Sequence, residues 1–218
     1  MTTAQKIKVA LIDLGLNLAV IIILVVLIRS FVIAPFQVSG PSMCDTLNMI
    51  NGECVENGTT VGEFMIINKI SYIFSDPTRG DIVIFKPKDG EHYYIKRIVG
   101  IPGDKVEIKK DKFVYVTPLG GEEVKIDETY LNADNFGHTY PAHENKRIFN
   151  VPTDRYFVMG DNRSHSSDSR HCFQFSPTGC IYDKDRAFIT KSDISGKALL
   201  TLWPFQNIKL IKNFDYGF

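Results

Sequence analysis

Two short stretches hold residues able to carry out covalent chemistry: VSGPSMCDTL (Val38–Leu47), with Ser42, and HYYIKRIV (His92–Val99), with Lys96. Ser42 follows a Gly-Pro step, which can hold a small hydroxyl at a set angle. The same residue types also make an ordinary turn. Around Lys96 the sequence alternates as a strand does, placing His92, Tyr94, Lys96 and Ile98 on one face and Tyr93, Ile95, Arg97 and Val99 on the other. Burial of the first face would desolvate the ammonium and lower its pKa. A neutral lysine is a competent general base for a serine hydroxyl. The plainer alternative is a surface lysine whose stem lies over apolar neighbours. A third stretch, GDNRSHSSDSR (Gly160–Arg170), crowds Asp161, Arg163, Ser166, Asp168 and Arg170 together. Acids and arginines interleaved in this way either form charge-assisted pairs that fix a loop or remain a solvated surface loop.

The elements that must position these residues are strands. EFMIINKI, DIVIF, HYYIKRIV, KVEI, FVYV, EEVKI, RYFVM and ALLTLW are short and rich in β-branched and aromatic residues, and turn chemistry such as DPTRGD, KPKDGE, IPGD and LGG separates them. No long amphipathic helix pattern interrupts them, so the class is mainly β. Ahead of them, Lys6 and Lys8 precede an apolar run from Val9 to Ile28. Arg29 follows, and Phe31–Phe36 is apolar again. The run is long enough to cross a bilayer and longer than the core of a cleaved signal peptide. Two lysines on the short leading arm favour the cytoplasm for that arm and the opposite side for the remainder. The division is residues 1–35 as arm and transmembrane anchor and 36–218 as an extracytoplasmic β-domain. Within that domain, about 127–150 form a surface excursion and about 171–186 a cysteine-containing insertion.

The 218-residue chain has a formal net charge of zero, which gives a polyanion nothing to bind and excludes nucleic acid as a partner. His92, His138, His143, His165 and His171 show no metal-ligand spacing. The four cysteines are 44, 54, 172 and 180. Cys172 and Cys180 bracket FQFSPTG, a turn signal, which predicts a Cys172–Cys180 disulfide stapling the insertion. A Cys44–Cys54 bond is the less favoured second pair, because strain so close to Ser42 would disturb it, and the plainer alternative is four free thiols in a poorly oxidising compartment.

Together these stretches resemble the type I signal peptidases, membrane-bound proteases with a Ser-Lys dyad. SGPSMCDTL resembles the nucleophile box, RGDIVIF the second box, YIKRIVGIPGD the lysine box and GDNRSHSSDSR the last, while ISGKALLTLWPF is also family-like. The similarity runs from the anchor to about Phe205. It implies a single transmembrane helix followed by a domain of coiled antiparallel sheets. Ser42 is then the nucleophile and Lys96 its base, with Ser166 hydrogen-bonding and orienting Lys96. Asp161 pairs with Arg97, and Asp168 with Arg170. Phe36, Val38, Gly40, Tyr94 and Ile95 line the substrate site. The implied substrates are secretory pre-proteins cleaved after small residues of the Ala-x-Ala type, at the lipid bilayer of a bacterial cytoplasmic membrane and near the protein translocation channel. No metal or organic cofactor is needed.

Two departures stand out. Gly40 occupies the position where some family members carry a second hydroxyl for the oxyanion, a donor worth about 10²-fold in rate. Asp45 replaces the usual proline; if it faces Lys96 it favours the ammonium, and otherwise it is a solvated carboxylate. These departures keep open a membrane-anchored domain that binds peptides without cleaving them. An organellar inner-membrane peptidase is disfavoured by the lack of an Arg-rich transit segment.

Overall fold

The computed structural model describes residues 2–55, 62–87, 90, 92–173 and 184–218. The apolar run forms helix α1 (Thr3–Leu27), opened by a capping box in which Thr2 and Gln5 satisfy each other's backbone N–H groups. None of its residues is buried. Together with a π-helical turn at Ile28–Val32 it makes one helix long and apolar enough to cross a membrane, Thr3–Val32.

Among the described residues the chain then forms fourteen strands: β1 (Ile33–Gln37), β2 (Met49–Ile50), β3 (Glu53–Cys54), β4 (Phe64–Asn68), β5 (Ile82–Phe85), β6 (Tyr94–Gly100), β7 (Lys105–Ile108), β8 (Val114–Thr117), β9 (Val124–Lys125), β10 (Ile148–Asn150), β11 (Arg155–Met159), β12 (Ile189–Thr190), β13 (Ile194–Trp203) and β14 (Lys209–Leu210). A short helix, α2 (Ser71–Phe74), follows β4. The main sheet runs β1-β4-β13-β5-β6-β11-β12, with β14 on β13, and a smaller one runs β10-β7-β8-β9. All the pairings are antiparallel. Register shifts along β13 let this one long strand bend while serving β4, β5 and β14.

The central strands are buried on both faces. Ile82 and Ile84 of β5 pack with Val38, Met43, Leu47 and Ile95. Val83 and Phe85 pack on the opposite side with Tyr72, Ile98, Val158 and Ile189. Each such side chain contributes roughly 1.5–3 kcal/mol through burial. The β5–β6 register sets Val83 opposite Lys96 and Phe85 opposite Tyr94. The lysine therefore emerges from a face whose neighbours are apolar.

In its fold the structure departs from the sequence reading in three places. The boundary at 35/36 cuts through β1, because Ile33–Gln37 is held by pairing with β4 rather than by lipid. Its apolar residues satisfy a sheet and a membrane equally well. The end of the 127–150 segment forms β10 on β7, and Glu128, Leu131, Asn135 and Thr139 within it are buried.

The third difference concerns the cysteines. Cys44 and Cys54 form a disulfide with 5.4 Å between their Cα atoms. Asn51 and Gly52 both take positive φ, 54° and 82°, which makes the two-residue hairpin loop that folds β3 back on β2. That hairpin carries Cys54 to Cys44. The expected Cys172–Cys180 bond involves Cys180, which lies outside the described residues. Replacing Cys44 and Cys54 together by alanine is predicted to cost about 2–3 kcal/mol, from the closure entropy of so short a loop. Thermal unfolding measures this, and an unchanged midpoint contradicts it.

Candidate active site

β1 delivers the chain to the segment that carries Ser42. The turn is fixed by its own backbone: Cys44 N–H donates to Pro41 O, and Thr46 and Leu47 N–H both donate to Met43 O. Met43 and Leu47 are fully buried and act as plugs on either side of the turn. Behind it lies the loop that follows β11. Asn162 N–H donates to Ser42 O at 3.1 Å, and Asn162 Nδ2 donates to Pro41 O at 3.1 Å. The approach is so close that a Cβ on Gly160 would lie 2.4 Å from Ser42 O and 2.2 Å from Ser166 Oγ. Only glycine fits there.

Lys96 is fully buried in β6, and its Nζ lies 2.6 Å from Ser42 Oγ. Nζ also donates to Ile95 O at 2.8 Å and sits 5.7 Å from the centroid of the Tyr94 ring. No carboxylate among the described residues forms an ion pair with it. Burial pulls its pKa down to about 8 from lysine's ordinary 10.5. The more distant Asp168 and Asp161 oppose that shift, and Arg170 adds to it.

Both acids are already engaged. Arg97 grips Asp161 with two hydrogen bonds, Nε to Oδ1 at 2.9 Å and Nη2 to Oδ2 at 2.8 Å. Thr46 Oγ1 donates to Asp161 Oδ2 at 2.6 Å, which ties this pair to the nucleophile turn. The guanidinium lies 4.1 Å from the Tyr130 ring centroid. Arg170 grips Asp168 in the same forked way, at 2.9 and 2.8 Å. Burial alone would raise the Asp168 carboxyl, but Arg170 and His171 outweigh it and hold it well below the usual range. Asp168 also accepts Gly160 N–H at 3.0 Å, so the ion pair fixes the glycine that abuts Ser42. A third buried pair, Arg163–Glu128, joins the loop to the 127–139 segment, with Arg163 also donating to Thr139 and Tyr130. Sequence reasoning did not find Thr46, Tyr130, Glu128 or Asn162 in these roles, because their partners lie far away in the chain.

Ser166 differs from the sequence reading. Its Oγ is buried and has no hydrogen-bond partner among the described residues, and the second contact of Lys96 Nζ goes to Ile95 O instead. The hydroxyl rests against Gly160 rather than on the amine. Asp45 also differs: its carboxylate turns to the 132–135 loop, accepting Asn132 N–H at 2.8 Å and Asn135 Nδ2 at 2.9 Å. Partial burial raises its pKa, and these two hydrogen bonds limit the rise. It is half-buried, faces away from Lys96 and is not among the charges that act on that lysine.

The residues assigned to the substrate site divide between the two faces of the β5–β6 pair. Val38 and Ile95 are buried in one cluster, with Phe36 packed against it. Phe36 meets Tyr93 edge-on at 5.8 Å. Tyr94 stacks on Phe85 and contacts Phe173, the latter from the start of the insertion. Gly40 is buried with φ +81°. Among the described residues β1 is an edge strand, so its outer edge can take up an extended peptide.

Comparison with known proteins gives consistent results. Residues 11–203 match the family described as signal peptidase, peptidase S26. The chain is 33% identical over 212 residues to signal peptidase I P of Bacillus subtilis subsp. natto, covering 95% of this chain and 96% of that one. It is likewise 33% identical over 212 residues to signal peptidase I S of Bacillus subtilis strain 168, covering 93% and 94%. Against signal peptidase I of Pseudomonas fluorescens it is 31% identical over 239 residues, covering 94% and 78%. A solved signal peptidase I from Enterococcus faecalis V583 aligns with a TM-score of 0.37 at 25% identity, over 56% of this chain and 97% of that one.

Proposed function

The chain belongs to the signal peptidase family, peptidase S26, and is a serine endopeptidase of the signal peptidase I kind; from this premise we propose that Ser42 is its nucleophile and Lys96 its general base. The 2.6 Å contact between Lys96 Nζ and Ser42 Oγ carries the assignment. An extended pre-protein segment pairs along the edge of β1, and the small residues before the scissile bond rest on Phe36, Val38 and Ile95. Tyr94 borders the same site. Neutral Lys96 takes the Ser42 proton as Oγ attacks the carbonyl. The Ser42 N–H, which has no acceptor among the described residues, is available to the oxyanion. Gly40 adds no side-chain donor there. Lys96 then returns the proton to the leaving amine, and water hydrolyses the acyl-enzyme. The forked Arg97–Asp161 and Arg170–Asp168 pairs hold the loop against the nucleophile turn. Ser166 fills the space beside Gly160 and acts through packing.

The membrane reading is part of the same proposal. α1 crosses the cytoplasmic membrane of a bacterium once, with its leading arm in the cytoplasm and the catalytic domain outside. Substrates are met as they leave the translocation channel. Trp203 and Phe205 form an edge-to-face pair at 4.8 Å, and they are 44% and 71% exposed. Ile73 and Phe74 of α2 are 64% and 85% exposed. They follow Lys69, whose Nζ donates to Ser30 O at the foot of the anchor. These apolar side chains are suited to the lipid surface.

Two experiments test the proposal. Cleavage of a pre-protein with an Ala-x-Ala site is abolished in Ser42→Ala and in Lys96→Arg, because arginine cannot shed its proton. In the unaltered chain the rate rises with pH and levels off above about 8, where Lys96 is neutral. Substantial activity in folded Lys96→Arg contradicts the base assignment. For the lipid contact, the single tryptophan is its own reporter. In a shortened chain starting at Arg29, which keeps all of β1, Trp203 emission shifts to shorter wavelength when phospholipid vesicles are added. Phe205→Ala weakens the shift. An emission spectrum indifferent to vesicles contradicts the contact.

A further inference from the structure

Asn48 lies behind the nucleophile turn and takes no part in the chemistry above. It is fully buried and holds φ +65°, a left-handed conformation that asparagine tolerates better than most residues. Its amide is fully used. Nδ2 donates to Gly40 O at 2.9 Å and to Val55 O at 3.3 Å, and Oδ1 accepts Glu63 N–H at 3.0 Å. The backbone N–H of Asn48 donates to Glu63 Oε2 at 2.9 Å, and Glu63 O accepts Val38 N–H at 2.8 Å. Glu63 is also fully buried, and its Oε1 accepts Asn207 Nδ2 at 2.9 Å.

The segment leading into Ser42 is therefore suspended at two points, Val38 and Gly40, from one buried pair. Gly40 lies two residues before Ser42 at φ +81°, where the peptide plane has few other restraints. Among the described residues only Asn48 Nδ2 donates to its carbonyl. The orientation of that peptide sets the direction in which Pro41 and the Ser42 N–H leave. A shift of about 1 Å at a reacting atom can cost on the order of 100-fold in rate.

We propose that Asn48, backed by Glu63 and Asn207, is a positioning residue for Ser42: its Nδ2 fixes the Gly40 peptide and so aims both the Ser42 Oγ and the Ser42 N–H. This rests on Ser42 being the nucleophile. As a neutral amide it acts on geometry and leaves the titration of Lys96 alone.

The test uses the full chain and a pre-protein substrate, with folded protein quantified in each sample. Asn48→Asp keeps the oxygen acceptor and the tolerance of positive φ but cannot donate to Gly40 O. Asn48→Gly keeps the backbone and removes the amide. Asn207→Ala, at a half-exposed site, slackens Glu63 from outside. The expected result is a kcat per folded molecule about 10- to 100-fold lower in the Asn48 variants and several-fold lower in Asn207→Ala. KM stays within about threefold, and the pH midpoint of Asn48→Gly stays near 8. Wild-type kcat per folded molecule in Asn207→Ala and in whichever Asn48 variant folds overturns the proposal; if neither folds, Asn207→Ala alone decides. Ser42→Ala is run beside them. Cleavage persisting in Ser42→Ala refutes the nucleophile itself, whereas an inactive Ser42→Ala with fully active Asn48 and Asn207 variants refutes only the positioning role.

Discussion

A lysine amine buried without a carboxylate partner among the described residues, 2.6 Å from a serine hydroxyl, is the interaction on which the rest of the structure depends. Left in water, Lys96 would be an ammonium through the neutral pH range. In contact with an acid, it would remain one inside the protein. The sheet prevents the first outcome by setting Lys96 opposite Val83, on a face shared with Phe85, Tyr94 and Ile98. The second is prevented because each nearby acid has its own arginine, Arg97 from β6 for Asp161 and Arg170 from the loop for Asp168. Asp161 and Asp168 both favour the ammonium, yet Arg97 and Arg170 hold them in forked pairs, and desolvation prevails.

Those ion pairs have a second consequence. A buried pair is weak evidence for stability by itself, since desolvating two charges can cost as much as their attraction returns. Here they join separate parts of the chain. Arg97–Asp161 reaches the nucleophile turn through Thr46, and Arg170–Asp168 reaches it through Gly160 N–H. The dyad is thus assembled by contacts between the β11 loop and the Ser42 turn. The missing side chain at Gly160 permits the close approach.

What was legible in the sequence was local. Period-two alternation around Lys96 placed it among Tyr94 and Ile98, whereas the crowding of both charge signs in Gly160–Arg170 left paired charges and a solvated loop equally open, and only the family resemblance pointed to Arg97–Asp161 and Arg170–Asp168. What was not legible depended on where distant segments meet. Asp45 turns to Asn132 and Asn135, 87 and 90 residues away, and nothing near it in the chain announces this. Ser166 and Lys96 belong to adjoining elements, but the amine finds Ile95 O first. The Cys44–Cys54 bond was legible and underweighted: Asn51-Gly52 is a hairpin turn signal, and it brings Cys54 back to Cys44. β1 was hidden because residues that pair in a sheet beside an anchor are as apolar as the anchor.

The most direct test of the central claim is to follow the Lys96 side chain itself. Magnetic resonance of the chain labelled at lysine Nζ, assigned with Lys96→Ala, reports its titration independently of catalysis. The account predicts that Lys96 loses its proton near pH 8, while exposed lysines titrate at about 10.4. Titration of Lys96 alongside the exposed lysines would contradict it.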